Sequence, residues 1–377
     1  MIKKSIKFIL GIILFIGSVL FLALFIAPKI STMPWFLKYN LSGNNNQKTV
    51  VINKTEKVTV QENFSLKKVA ENTLPSIVKV IFEPTKPKKG QIILPVSQSG
   101  IILSSDGIIV TSISNNDEKF INSKYKIEIS LNDGETIEAK IIAIDDFNSL
   151  VFLKVDKDNL PVAPFGETDS VESGEKTVLI GHSKENTEQL LMSNLVEEYQ
   201  RNFNSSGAKF IFSDKNSNVL KLGMPLSDKF IGGATIDFQG SLIGIINQRS
   251  DYAGQEHFFV TPIENIQNSF QQLIQNKKIS YPKLGIYYLN INPSLVRLNS
   301  LSSENGALIY TPSGKLVTIK GSRGRLAGLR FGDIILKVNN EDITTENTLG
   351  MILNKYRAED KLELEIKRQD KIIQVKL

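Results

Sequence analysis

From residue 65 onward the apolar residues come in short, β-branched runs that alternate with polar positions and are broken by turn residues. Ser76–Phe82, Gly100–Leu103, Ile108–Thr111, Ile127–Leu131, Thr136–Ile144, Leu150–Val155, Thr177–Ile180 and Leu242–Ile246 read as strands on this pattern. Asp106-Gly107 and Asp133-Gly134, between such runs, are hairpin turn signals. Strands this short and this regularly spaced predict an all-β barrel or sandwich, so the fold class is mainly β. A helical period appears over Ser65–Asn72 and again over Pro262–Gln275, where Ile263, Ile266, Phe270 and Leu273 share a face and close a first domain. A third helix is expected from Glu346 to Tyr356, with Leu349, Ile352 and Leu353 at helical spacing.

The N-terminus follows another pattern. Phe8 to Ala27 carries no charge and has the length, about 20 residues, that a bilayer core requires. A cleaved secretory signal is the alternative, but such signals have apolar regions of roughly 7 to 15 residues and a small-residue cleavage site. Here Pro28 and Lys29 follow directly. Residues 8–27 are therefore expected to span a membrane. Lys3, Lys4 and Lys7 hold residues 1–7 in the cytoplasm, and everything after residue 28 is exported. Residues 28–64, with Asn44-Asn45-Asn46 and little to bury, read as a linker. The expected location is thus the cytoplasmic membrane, single-pass with the N-terminus inside. The abundance of Ile, Lys and Asn points to an AT-rich genome and a bacterial source.

Composition adds mainly exclusions. At 377 residues and 41% hydrophobic, the chain can fill two ordinary cores. Its 45 Lys+Arg and 39 Asp+Glu leave a charge of +6 spread along the sequence, which argues against a nucleic-acid partner. Zero cysteines exclude disulfides, thiol nucleophiles and cysteine metal sites. Asp145-Asp146 is adjacent on a turn with no further ligand pattern and reads as a solvated turn. Gly232-Gly233 lacks the Lys-Ser/Thr of a phosphate loop and reads as a backbone requirement. No metal and no cofactor is expected. The two histidines, His182 and His257, read as strand or surface residues with satisfied partners, and Arg323 and Arg325 as a solvated loop.

Ser99-Gly100-Ile101-Ile102-Leu103-Ser104-Ser105-Asp106-Gly107-Ile108-Ile109-Val110-Thr111 is similar to the G-S-G-F-I-I-S-x-D-G-Y-I-L-T strand pair of HtrA/DegP proteases, which N-N-H follows in that family. Leu131-Asn132-Asp133-Gly134, Asp145 to Lys154, Asn159 to Gly166 and Gly174 to Gly181 continue the likeness in order. Lys229-Phe230-Ile231-Gly232-Gly233-Ala234 resembles G-N-S-G-G-P, after an insertion placed between Ser213-Asp214 and Gly232-Gly233. The resemblance implies a chymotrypsin-like double β-barrel over residues 65–276. It also implies that the histidine, aspartate and serine of a catalytic triad are replaced by Ser114, Ser149 and Ile231, and the oxyanion glycine by Lys229.

Triad chemistry needs a base, a group that orients it and paired oxyanion donors. Losing one oxyanion donor alone costs about 10² to 10³ in rate. A degenerate, inactive site is therefore expected. The competing reading is a serine endopeptidase with a rebuilt site, using a serine such as Ser227. Against it, no histidine occurs from Met1 to Gly181.

Residues 281–377 resemble a PDZ domain of the kind that follows the protease in this family. Lys283-Leu284-Gly285-Ile286 matches its Y-L-G-I carboxylate-binding loop, Gly306 to Ile309 its G-A-L-V strand, and Gly332 to Asn339 its G-D-V-I-L-A-V-N segment. The implied peptide site comprises Lys283, Leu284, Gly285 and Ile286 with an open strand edge behind them, and a wall of Leu349, Ile352 and Leu353. The implied partners are peptides or C-termini of extracytoplasmic proteins, and a homo-oligomer such as a trimer or active relatives. The implied role is that of a scaffold or regulator in envelope protein quality control. A third reading is a structural interaction protein whose groove is closed by its own core.

Overall fold

The computed structural model describes residues 11, 14–22, 24, 66–86, 96–112, 125–168, 171–183, 188–200, 210–250 and 256–377. Met1–Gln61 and Glu62–Leu377 form two compact units. In the first, residues 14–22 are helical, and the rest of the expected span 8–27, like the linker, lies almost wholly outside the described residues. Among the described residues no helix is long and apolar enough to cross a membrane.

The second unit begins with α1 (Leu66–Ala70) and a six-stranded closed barrel. Its strands are β1 (Ile77–Pro84), β2 (Val96–Ile102), β3 (Ile108–Ser112), β4 (Tyr125–Ser130), β5 (Thr136–Asp145) and β6 (Leu150–Val155). They close in the order β1-β2-β3-β6-β5-β4. Next come β7 (Lys176–His182), β8 (Gln189–Gln200), β9 (Ile211–Phe212), β10 (Val219–Leu222), β11 (Ala234–Ile236), β12 (Leu242–Ser250) and β13 (Glu256–Pro262). All of these except β9 form a second closed barrel, ordered β10-β13-β12-β11-β7-β8. Helix α2 (Ile263–Asn276) follows, where the sequence pattern expects the closing helix.

Side-chain alternation explains why these strands read as almost continuously apolar. Val78, Val80, Ile102, Ile109, Val151 and Leu153 point into the first barrel. Their neighbours Ile77, Ile101, Val110, Leu150 and Phe152 point out and join Val178, Ile180, Leu242 and Ile245 of the second barrel, with Ile263, Ile266 and Leu273 of α2, in one shared core. A strand with both faces buried has no polar side to show. Each such residue contributes roughly 1.5 to 3 kcal/mol through burial. Leu179, Val196, Leu220, Ile243, Ile246 and Val260 fill the second barrel.

The C-terminal part is a further sheet built from β14 (Tyr287–Asn290), β15 (Ala307–Ile309), β16 (Ile334–Val338), β17 (Glu341–Asp342), β18 (Glu363–Arg368) and β19 (Lys371–Lys376). It is ordered β19-β18-β16-β15-β14-β9, with β17 pairing β16. Helices α3 (Pro293–Asn299), α4 (Arg323–Leu326) and α5 (Leu349–Leu353) flank it. The expected helix Glu346–Tyr356 is cut to α5 because Thr348 caps it, its hydroxyl accepting from Met351 N–H at 3.4 Å. The barrel strand leading to Ile231 is β10, and β9 lies outside the barrel, in the C-terminal sheet.

Candidate functional site

A 3₁₀ turn, Asp228–Phe230, delivers Ile231 to the corner between the barrels. Ile231 is 7% exposed, and its carbonyl accepts from Ser99 N–H of β2 at 2.9 Å. The turn spends the Ile231 N–H on the Asp228 carbonyl, at 3.2 Å. That donor is directed into the protein's own turn rather than at a substrate oxyanion. Gly232 follows with φ +75°, where a Cβ would stand 2.1 Å from the Ser99 carbonyl. The glycine is thus required by close approach of β2, as the sequence reading of Gly232-Gly233 holds.

The chemical groups at this corner are poor in reactivity. Ile231 offers only hydrocarbon, and Lys229 and Ser227 are exposed on the turn. Ser149 lies at φ +60° immediately before β6, 6% exposed, and Ser114 lies outside the described residues. His182 ends β7 and is 3% exposed. Its Nε2 is 3.2 Å from the Ile77 carbonyl and its backbone N–H donates to Ser99 Oγ at 2.9 Å. The ring is therefore engaged with β1. His257 sits opposite Arg249 in the β12–β13 ladder. Among the described residues no cluster of His, Cys, Asp and Glu is arranged to hold a metal ion.

Next to the Ser149 position lies a buried polar hub that the sequence reading misses. Asp145, taken there for part of a solvated turn, is 1% exposed. Its Oδ1 accepts from the N–H groups of Phe147 and Asn148, each at 3.0 Å, while Asn148 Nδ2 reaches Oδ2 at 2.9 Å. Ser269 of α2 also donates to it. Burial pushes the Asp145 carboxyl above its ordinary value, against the opposing pull of the bonds from Ser269 and Asn148. Tyr281 is raised in turn by burial and by the nearby Asp145 charge. Asn148 Oδ1 accepts from Asn216 Nδ2 at 2.8 Å, and Asn148 Nδ2 lies 3.3 Å from Asn354 Oδ1 beyond α5. The hub thus joins the first barrel, α2, the β9–β10 connection and the C-terminal sheet.

At the C-terminal sheet the structure brings together most of the residues singled out for peptide binding. Leu284, Gly285 and Ile286 form a loop leading into β14, with Gly285 at φ +63°, and Lys283 is exposed beside it. Leu349, Ile352 and Leu353 of α5 are wholly buried and pack in one core with Leu284, Ile286 and Tyr288. They support the loop from behind. The strand edge beyond the loop is not open: β9 pairs antiparallel with β14, Phe212 opposite Tyr287 and Ile211 opposite Tyr288. A cleft of about 750 Å³ opens alongside, lined by Asp145 to Phe147, Phe212, Asp214, Tyr281, Lys283 and Arg323 among others. Arg323, expected in a solvated loop, instead donates to the carbonyls of Ala358 and Asp360, each at 3.0 Å.

Two closed six-stranded barrels meeting at a Gly-Gly turn define the fold of a trypsin-like peptidase. Residues 98–245 match the trypsin-like peptidase domain. The putative serine protease HhoB of Synechocystis sp. is 27% identical over 278 residues, covering 72% of this chain and 64% of that protein. The serine protease Do-like HtrB of Bacillus subtilis is 26% identical over 283 residues, covering 72% and 60%. The chain therefore spans under two thirds of the length of these relatives. Among solved structures, the HtrA-type protease AlgW with a tripeptide shares the fold at a TM-score of 0.62 and 20% identity, covering 83% of this chain and 95% of that one. AlgW with a decapeptide gives 0.59 and 18%, covering 83% and 97%. Within the trypsin-like class, the chain is similar in sequence to HtrA/DegP-like proteins and shares the fold of HtrA-type structures.

Proposed function

We propose that this is a membrane-anchored, catalytically inactive HtrA-like protein. Its C-terminal sheet, read as a PDZ domain over residues 281–377, binds peptide segments or C-termini of extracytoplasmic proteins. The observation that supports the inactive reading is at Ile231, which motif order assigns to the nucleophile position and whose N–H is turned onto the Asp228 carbonyl. Without a nucleophile or a base, and with the Ile231 N–H held by Asp228, activity is at most about the 10³ to 10⁴ residual acceleration of a triad-less protease. Residues 8–27 anchor the chain in the cytoplasmic membrane with residues 1–7 inside. The exported part works as a scaffold or regulator in envelope protein quality control, as a homo-oligomer or together with active relatives. No cofactor is needed for such a role.

Prolonged incubation of the full chain in mild detergent with unfolded casein, beside an active HtrA protease, tests this. No cleavage by this chain is expected. Cleavage abolished by Ser227→Ala contradicts the reading and favours the alternative, a serine endopeptidase with a rebuilt active site. The one observation on that side is the exposure of Ser227 on the turn before Ile231.

A further inference from the structure

The segment on the β14 edge is arranged as a bound peptide would be. Ile211 and Phe212 run antiparallel to β14, and Ser213 N–H donates to the Ile286 carbonyl at 3.0 Å. The two loop N–H groups that face outward are both taken by side-chain oxygens of the same segment. Gly285 N–H donates to Asp214 Oδ1 at 2.8 Å and Ile286 N–H to Ser213 Oγ at 3.0 Å. Successive backbone N–H groups of this kind make an anion site, and here a carboxylate oxygen of Asp214 and the Ser213 hydroxyl share it. Beyond Asp214 the chain passes α5, where Thr348 Oγ1 donates to Asn218 Oδ1 at 3.1 Å and Asn216 reaches back to Asn148 at 2.8 Å.

From this geometry we infer that Ile211–Asp214 is an internal ligand of the peptide groove, which an outside chain end must displace. The inference rests on the proposed peptide-binding reading and deepens it by naming the regulation and the partner. The internal ligand states what the groove accepts. Ile211 is 5% exposed and packs into the C-terminal core, so an apolar side chain belongs two residues before the end. Phe212 lies against the Tyr287 ring, centroids 4.9 Å apart, so an aromatic residue suits the next place. Ser213 is 1% exposed, so the last residue is small, and its free carboxylate takes over the Gly285 and Ile286 N–H groups from Asp214 and Ser213. A tethered segment competes at an effective concentration on the order of millimolar. A free peptide then sees only the open fraction of the groove, and its affinity is reduced by that fraction.

The probe is a fluorescent decapeptide ending in Ile-Phe-Ser with a free carboxylate, titrated by anisotropy into the full chain in detergent. Ile211→Ser/Asp214→Ala weakens the internal ligand without altering the groove, and is expected to bind the probe at least 10-fold more tightly than wild type. A second form locks the segment. Ser213 and Ile286 form the hydrogen-bonded pair, so Phe212 and Tyr287 are the closer, non-hydrogen-bonded pair. The chain has no cysteine, so Phe212→Cys/Tyr287→Cys yields a single cross-strand disulfide. Oxidised, this form is expected to lose probe binding, and reduction restores it. Equal binding by wild type, released and locked forms overturns the inference while leaving peptide capture standing. Absence of binding by every form, with the Ser213 and Ile286 amides protected from hydrogen exchange in wild type, overturns peptide capture. The segment is then a permanent strut rather than a displaceable ligand.

Discussion

At the Ile231 corner a Gly-Gly turn is held under β2 and the side chain before it is hydrocarbon; at the β14 edge two loop N–H groups are in place, and the chain's own Ser213 and Asp214 occupy them. Gly232 still tucks under the Ser99 carbonyl, yet the residue before it is isoleucine and its N–H is spent on Asp228. Beside β14 the loop N–H groups of Gly285 and Ile286 retain their geometry and hold Asp214 and Ser213. The difference teaches how each site can respond. No conformational change supplies a missing side chain, whereas a short ladder of exchangeable hydrogen bonds can be traded for another. On the proposed reading, one loss is permanent and the other is a matter of competition.

The largest effect is expected on the barrel side. Gly232→Ala places a methyl 2.1 Å from the Ser99 carbonyl at a φ of +75°, and should cost about 4 kcal/mol in denaturant unfolding. A variant of near wild-type stability contradicts the claim that the turn is held under β2. Asn148→Ala touches both regions, because it removes partners from buried Asp145 and Asn216 together. A cost of about 3 kcal/mol is expected, from leaving buried polar groups unpaired. It should also loosen hydrogen-exchange protection at Ser213. Loss of stability with unchanged protection there separates the two regions and breaks the link drawn between them.

Asp145→Asn sharpens the comparison through pH. Burial holds the folded carboxyl above the ordinary aspartate value, so the native state holds this proton more tightly than the unfolded chain. The contribution of Asp145 to stability is greatest below the unfolded value and falls as pH rises toward the folded one. Thermal melts of wild type and Asp145→Asn should therefore show the wild-type advantage shrinking as pH rises above about 4. A gap that widens with pH refutes the burial argument. Asp214→Ala has the smallest expected effect, about 1 kcal/mol, since its Oδ1 accepts from Gly285 at a partly exposed site. Its readout is faster exchange of the Gly285 amide in the otherwise folded chain.

Much of this fold was legible in the sequence, where burial follows a simple period. The run Leu150–Val155 is the strand β6 residue for residue, and the helix after Pro262 is offset by one residue. β8 was not legible: Ser193, Asn194, Glu197 and Glu198 interrupt the alternation that marks a strand. β9 was harder still, because Ile211-Phe212 followed by Ser213-Asp214 looks like a barrel strand, and only its pairing with Tyr287 and Tyr288 shows that it belongs to another sheet. At the candidate site, Ile231, Ser149 and the Leu284–Ile286 loop followed from motif order. The hub did not, since a buried Asn148 or Asn216 has the same local sequence signature as an asparagine in a solvated turn. The third reading expected the core of the C-terminal part to close the groove; the element paired along β14 is instead β9, which lies in sequence between two strands of the second barrel.

The central claim is the permanence of the loss at Ile231, and covalent trapping tests it most directly. The full chain in detergent is exposed to a fluorophosphonate, which phosphonylates activated serines, beside an active HtrA protease, and intact mass is recorded. The account predicts no adduct on this chain while the active protease is stoichiometrically labelled. A stoichiometric adduct mapped to Ser227, or to any other serine of the corner between the barrels, contradicts it.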